Sequence, residues 1–223
     1  MSERHPDLPP REAMDFDIVI VGAGPAGLAA AIRLRQLAEK HDREITVVVV
    51  EKGSEVGAHI LSGAVVDPVG LDQLLPGWRQ QDPPLETKVT QEQFLYLTQS
   101  KSIRLPNLLI PPLMKNHFSY VGSLGSMVRW LGEQAETLGA EVYPGFSASE
   151  LLYGSDGAVT GIATQDMGLD RDGTPKDSYT PGMELNGRYV LLAEGARGSL
   201  SKQAVAKFKL DTDCDPQKFG LGM

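Results

Sequence analysis

Hydrophobic runs alternate with glycine-rich and polar turns along most of the chain, which is typical of an α/β protein. The runs Ile18–Val21 and Ile45–Val50 are continuous and rich in β-branched residues, so they predict two buried strands. A helix predicted between them ends near Lys40. Apolar residues recur at nearly helical period over 124–138, which predicts a second helix, and 141–143 then reads as a third, parallel strand.

The pattern changes after residue 147. A turn signal at 154–157 precedes a strand-like run at 158–164, and the polar stretch 165–181 predicts a long exposed turn within an antiparallel meander. The apolar run 188–193 predicts the next strand, and a helix is expected to follow over 199–207.

The turn after the first strand has the G-x-G-x-x-G pattern of a dinucleotide-binding loop. Its glycines allow a tight turn, a close approach to a pyrophosphate and close packing of helix on strand, while the helix N-terminus attracts phosphate. Glu51 ends the second strand 24 positions after Gly27, where a ribose-binding carboxylate is expected. The predicted phosphate loop comprises Gly22, Ala23, Gly24, Pro25, Ala26 and Gly27.

Composition narrows the class of protein. The 223 residues carry a formal net charge of −8, which argues against a general nucleic-acid surface. A single cysteine, Cys214, excludes an internal disulfide and a cysteine-rich metal site within this chain. Residues 1–14 are polar and proline-rich, so we expect a disordered lead-in without the features of a signal or transit peptide. The uncharged run 18–32 is shorter than the roughly 20 residues that a membrane helix needs.

Three motifs resemble the flavin-binding domain of the glutathione-reductase structural class. They are the phosphate loop at 22–28, the strand end at 50–52 and the second motif at 191–198. The resemblance implies a Rossmann-like FAD-binding domain with an antiparallel meander, and FAD rather than NAD as the ligand. Besides the phosphate loop, the cofactor-binding residues that it implies are Glu51, Lys52, Ser62, Gly63, Glu194, Gly195 and Arg197.

A narrower resemblance rests on several separated strings. Residues 51–64, 114–120, 130–136, 141–145 and 161–168 look like electron-transfer flavoprotein–ubiquinone oxidoreductases. That family implies FAD, one [4Fe–4S] cluster, ubiquinone as substrate and electron-transfer flavoprotein as donor. It also implies peripheral, monotopic binding to the bacterial inner membrane on its cytoplasmic face, or to the mitochondrial inner membrane in eukaryotes.

The family's cluster cysteines lie far towards its C-terminus, beyond the last residue of this chain. We therefore expect an N-terminal fragment that is inactive alone, holds no metal itself and has an incomplete FAD-binding domain. An inserted segment (86–120) is expected to divide that domain into an N-terminal portion (15–85), which follows the lead-in, and a truncated C-terminal portion (121–223).

The core of the inserted segment, residues 103–114, is largely apolar and contains prolines that rule out a continuous helix. Cations flank its core, so we predict a shallow membrane-dipping loop for quinone entry, with packing on the protein core as the alternative. The predicted membrane or quinone-entry residues are Leu105, Leu108, Leu109, Ile110 and Leu113.

No catalytic residue is identified, because electron transfer through a flavin needs no protein nucleophile. His59 and His117 lie in family-like strings, and structural roles are favoured for both. Two other functions stay open: a flavin monooxygenase or prenyl reductase of the same fold, and a non-catalytic fragment that only binds.

Overall fold

The computed structural model describes residues 8–170, 173–216 and 218. The helices are α1 (Pro25–Lys40), α2 (Val69–Leu74), α3 (Leu124–Thr137) and α4 (Ser199–Phe208), with 3-10 turns at Trp78–Gln80, Asn107–Leu109 and Pro112–Met114. The strands are β1 (Glu12–Val21), β2 (Val47–Glu51), β3 (Gly63–Val66), β4 (Thr87–Lys88), β5 (Phe94–Leu97), β6 (Ser102–Leu105), β7 (Tyr120–Ser123), β8 (Glu141–Pro144), β9 (Ala148–Tyr153), β10 (Val159–Thr164), β11 (Met167–Leu169), β12 (Pro175–Thr180) and β13 (Met183–Leu192).

The main sheet has the strand order β8-β2-β1-β13-β10-β9. Its first four strands run parallel, whereas β10 and β9 pair antiparallel at the other edge. The predicted β-α-β unit and the crossover to a third parallel strand are therefore confirmed. A Rossmann-like α/β fold with an antiparallel addition follows from this topology.

Both faces of the parallel strands are covered, which explains their continuous apolar sequence. Ile18, Ile20 and Val49 pack on one face beneath α1 and α3. Val19 and Val48 pack on the opposite face with Leu200 of α4. Because successive side chains of a strand point to opposite faces, one short run supplies both cores.

Two strands are longer than predicted. β1 begins at Glu12, six residues before the predicted run Ile18–Val21, and β13 begins at Met183, five residues before the predicted start at Arg188. The additional N-terminal parts of the two strands pair with each other, with Glu12 opposite Met183 and Phe16 opposite Gly187. They carry polar residues that are exposed or half-buried, such as Glu12, Asp15 and Asn186, so the hydrophobic pattern alone does not reveal them. Residues 12–14 are thus strand, which corrects the C-terminal end of the expected disordered lead-in; residues 1–7 lie outside the described residues.

The stretch 165–181 is also more ordered than the exposed turn we predicted. β11 and β12 form a hairpin within it, and its residues 171 and 172 lie outside the described residues. Asp166 is buried and binds Arg11, with Oδ2 at 2.7 Å from Nη2. The expectation of a solvated stretch is therefore wrong at this residue.

A second, three-stranded sheet has the order β3-β7-β4, and β5 and β6 form a separate hairpin. β4 and β7 lie at the two ends of the inserted segment, so the segment leaves and re-enters the fold through adjacent strands. Among the described residues, no helix combines the length and the apolar character that crossing a bilayer requires.

Candidate functional site

The phosphate loop connects the end of β1 to the start of α1. Gly22 has φ +106°, and a Cβ added there would lie 2.5 Å from the Ala193 carbonyl oxygen, so only glycine fits. Its amide donates to the Val50 carbonyl at 2.8 Å, which fixes the turn against β2. Gly24 caps α1 and Pro25 follows at its first turn. The loop thus presents a helix N-terminus at the carboxyl edge of the sheet, where open α/β folds bind their ligands.

Gly24 and Gly27 differ in what surrounds them. A Cβ at Gly24 meets nothing within 4 Å, so this side of the loop faces open space. A Cβ at Gly27 would lie 2.0 Å from the Gly22 carbonyl oxygen and 3.2 Å from the Ala193 Cβ. Gly27 therefore brings α1 close to β1, whereas Gly24 leaves room for a group that approaches from outside the chain.

Glu51 ties the phosphate loop to the neighbouring strand. Its Oε2 accepts a hydrogen bond from the Ala23 amide at 3.0 Å, and its Oε1 accepts one from the Gly53 amide at 2.8 Å. A carboxylate has about four acceptor positions, so capacity remains for ligand hydroxyls. The sequence predicted a ribose-binding residue; the structure adds that the same carboxylate holds the backbone of the loop in place.

Glu194 lies two residues after the end of β13, on the other side of the loop, and its carboxylate caps α4. Oε1 accepts from the Leu200 amide at 3.1 Å, while Oε2 accepts from the Ser201 amide at 2.7 Å and hydroxyl at 2.8 Å. These bonds satisfy amides that a helix start leaves without an intrahelical partner. Glu194 was predicted to contact the cofactor, and the contacts that the structure shows for it are with α4.

These elements enclose a cleft of about 690 Å³. The predicted residues that line it are Gly22, Ala23, Gly24, Pro25, Ala26, Glu51, Lys52, Glu194, Gly195 and Arg197. The sequence prediction did not include Gly57, Ile60, Phe146, Ser147, Ala148 or Ser199, which also line it. Phe146, Ser147 and Ala148 follow the carboxyl end of β8, so the rule that ligands bind at the ends of parallel strands could have found them.

Ser62 and Gly63 are separated from this group. They are not among the residues that line the cleft, and Gly63 begins β3, opposite Ser123 of β7. Their predicted contact with a cofactor therefore stays a prediction, because neither residue lines the cleft. His59 lines the cleft and is exposed, whereas His117 lies in the inserted segment with its Nδ1 3.6 Å from Glu92 Oε1.

The predicted membrane residues of the inserted segment do not share one environment. The Leu108 and Leu109 side chains are highly exposed, at 91% and 70%, and Leu105 is half-buried. Ile110 is only 8% exposed, so its side chain is buried rather than presented at the surface of this region. The Leu113 side chain lies outside what the structure describes.

The described ranges contain no cluster of three or more His, Cys, Asp or Glu side chains placed to hold a metal ion. The cleft instead combines backbone amides at a helix N-terminus, a carboxylate on the neighbouring strand and an opening at Gly24. This combination of amide donors, a carboxylate acceptor and open space fits a nucleotide with a diphosphate and a ribose.

Comparisons with known proteins agree with this geometry. Residues 20–84 match the NAD(P)-binding Rossmann-like domain family. A geranylgeranyl bacteriochlorophyll reductase-like protein from Thermoplasma acidophilum has a similar fold, with a TM-score of 0.57 and 17% identity over 82% of this chain and 40% of that one. At this identity the similarity shows the fold alone.

Comparison of the amino-acid sequence with curated proteins gives relatives of much higher identity. The chain is 57% identical, over 97% of its length and 35% of the relative's, to the mitochondrial electron transfer flavoprotein-ubiquinone oxidoreductase of Dictyostelium discoideum. It is 53% identical to the Pseudomonas aeruginosa protein of that name, over 96% of this chain and 39% of the relative. The chain therefore spans about a third of the length of these curated relatives. Over the region that it spans, the chain is therefore similar in sequence to electron transfer flavoprotein-ubiquinone oxidoreductases.

Proposed function

We propose that the cleft binds FAD and that the longer protein containing this region is an FAD-dependent electron-transfer oxidoreductase. In its finer form, the proposal is that this protein passes electrons from reduced electron-transfer flavoprotein to ubiquinone. The observation that carries it is the phosphate loop, which is open at Gly24 and fixed to Glu51 in a cleft of about 690 Å³. The names of the relatives support the choice of donor and acceptor.

The residues of this chain bind and orient the cofactor. The amides at the start of α1 receive the diphosphate, and Glu51 receives the ribose hydroxyls with its remaining lone pairs. Lys52 and Arg197, which line the cleft, add positive charge close to the phosphates. FAD supplies the redox chemistry when it is bound, and the protein supplies position and electrostatic environment. A [4Fe–4S] cluster belongs to the proposal only for the longer protein.

Replacement of Glu51 tests the assignment of the cleft. We expect Glu51→Ala to weaken FAD binding by about 10-fold to 100-fold, because charge-assisted hydrogen bonds of ~1.5–3 kcal/mol are lost and the Ala23 amide is released. Titration of the flavin-free longer protein with FAD measures the affinity. Glu51→Gln is the matched variant: it retains the shape and one acceptor, so its affinity should lie between those of Glu51→Ala and the parent. Unchanged affinity in Glu51→Ala would show that the nucleotide binds elsewhere.

The electron donor distinguishes this proposal from a monooxygenase or prenyl reductase of the same fold. Reduced electron-transfer flavoprotein should bleach the flavin absorbance of the intact protein, and added ubiquinone should restore it. A reduced nicotinamide should leave the absorbance unchanged. Rapid bleaching by the nicotinamide alone would favour the alternative.

The proposal includes peripheral binding to the inner membrane through the inserted segment. Leu108 and Leu109 expose most of their side chains, and burial of one such side chain contributes ~1.5–3 kcal/mol. Replacing both with Ser in the longer protein should reduce its binding to phospholipid vesicles by about 10-fold or more. Leu210→Ser is the control, since Leu210 is also exposed, at 61%, but lies outside the segment. Equal vesicle binding by all three proteins, measured by co-sedimentation, would remove the segment from the membrane contact.

A further inference from the structure

The two ends of the inserted segment are held together at its base. Lys88 of β4 pairs with Tyr120 of β7, and the next backbone contact is the Val89 amide donating to the Ser119 carbonyl at 2.9 Å. Beyond this point a side chain, rather than the backbone, links the two ends of the segment. That side chain belongs to Glu92, which lies between β4 and the β5–β6 hairpin.

Glu92 is a carboxylate that the proposed flavin chemistry does not use, and its side chain is only 17% exposed. Its Oε2 accepts hydrogen bonds from the Asn116 amide at 2.7 Å and the Asn116 Nδ2 at 3.4 Å. Its Oε1 lies 3.6 Å from Nδ1 of His117, whose side chain is 66% exposed. We call Glu92, Asn116 and His117 the clasp. A carboxylate with this little exposure needs such partners, and charge-assisted bonds of this kind are the strong ones.

The residue that follows the clasp has an unusual backbone. Phe118 has φ +71° and is 82% exposed, and the Ser119 amide closes a turn by donating to the Asn116 carbonyl at 3.1 Å. A side chain as large as phenylalanine keeps a left-handed conformation only where the surrounding structure enforces it. Glu92 fixes one side of this turn and Val89 fixes the other. The clasp therefore determines where the Phe118 ring is presented.

The region of the segment that the clasp closes carries an exposed apolar surface. Besides Leu108 and Leu109, the segment exposes hydrophobic side chains at Phe94, Leu95, Tyr96, Leu97, Ile103 and Met114. Lys101, Arg104 and Lys115 lie among them in sequence and are exposed. Apolar side chains with interspersed cations are the chemistry that fits the surface of an anionic bilayer.

We infer that Glu92 is a positioning residue that closes the base of the inserted segment, so that its apolar side chains meet a lipid surface as one unit. The inference rests on the proposed membrane contact. It adds that a carboxylate outside the contact surface determines how the segment is presented to the lipid. When the clasp opens, residues 93–115 keep their sequence and their apolar side chains but lose their fixed arrangement. Vesicle binding then requires the segment to be ordered at an entropic cost that the clasped protein has already met.

Glu92→Ala and Glu92→Gln in the flavin-loaded longer protein test this inference. Glu92→Ala should reduce binding to vesicles of phosphatidylethanolamine and phosphatidylglycerol by about 10-fold. Glu92→Gln keeps an acceptor for the Asn116 amide and should show a smaller loss. The Asn116 amide should exchange its hydrogen faster in both variants, in the same order. Flavin content and the thermal midpoint should not change, which a general loss of structure would not allow.

Glu86→Gln is the matched control, because Glu86 is exposed and lies six positions from Glu92, and its replacement removes the same charge. It should leave vesicle binding unchanged or slightly stronger. Unchanged binding in Glu92→Ala, alongside a loss in the Leu108/Leu109 double variant, would overturn the clasp while leaving the membrane contact intact. Unchanged binding in both would overturn the membrane contact and the clasp together.

Discussion

Gly24→Val is expected to abolish FAD retention while leaving the fold of this region intact. Gly24 has φ −79° and ψ 179°, which any residue adopts, and a Cβ there meets nothing within 4 Å. The valine side chain would instead fill the space that we assign to the diphosphate. Loss of two charge-assisted hydrogen bonds, ~1.5–3 kcal/mol each, corresponds to an affinity loss of about 100-fold or more. Flavin absorbance per protein after gel filtration measures the effect in the longer protein.

Gly27→Ala provides the contrast. Its Cβ would lie 2.0 Å from the Gly22 carbonyl oxygen, so α1 must move away from β1, and overpacking of this kind costs about 1–3 kcal/mol. The thermal midpoint of the flavin-free protein should fall for Gly27→Ala and stay unchanged for Gly24→Val. Normal flavin content in Gly24→Val would mean that the loop does not hold the diphosphate.

The sequence predicted the elements whose signals are local. Ile18–Val21, the glycine turn and the helix to Lys40 follow each other within one β-α-β unit, and each has its own pattern. The same holds for α3 and for β8 after it. Glu51 was also identifiable, since one helix and one strand separate it in sequence from the phosphate loop, and their lengths vary little.

Contacts and burial that depend on the tertiary structure were not predictable in this way. β3 pairs with β7 across more than fifty residues, and both strands are only four residues long. Glu194 resembles a cofactor residue in sequence, yet its carboxylate binds the amides of Leu200 and Ser201. Ile110 is as hydrophobic as its exposed neighbours, and only the tertiary structure shows that it is buried.

Arg11 and Asp166 form a buried ion pair between distant parts of the chain, which the sequence does not reveal. The side chains of both are only 5% exposed, and Arg11 Nη2 lies 2.7 Å from Asp166 Oδ2 and 3.0 Å from Glu150 Oε1. Burial opposes the charge of Arg11, but hydrogen bonds to Asp166 and Glu150 outweigh it and raise the pKa of the guanidinium. Asp166 Oδ1 also accepts from the Gly182 amide at 2.8 Å. This network therefore joins the start of β1 to the turn that precedes β13.

Arg11→Met should lower the local free energy of unfolding by about 3–5 kcal/mol, because it removes the guanidinium that pairs with the buried carboxylate of Asp166. Native-state hydrogen exchange at the Gly182 amide measures this loss, and the exchange rate should rise by about 100-fold or more. Arg129→Met is the control, since Arg129 and Glu55 are 48% and 63% exposed and such a pair contributes only ~0–1 kcal/mol. Adding Asp166→Asn to Arg11→Met should recover some of the loss, because the carboxylate that paired with Arg11 is then replaced by a neutral amide. Exchange rates that match in Arg11→Met and Arg129→Met would show that the buried pair does not hold β1 to the meander.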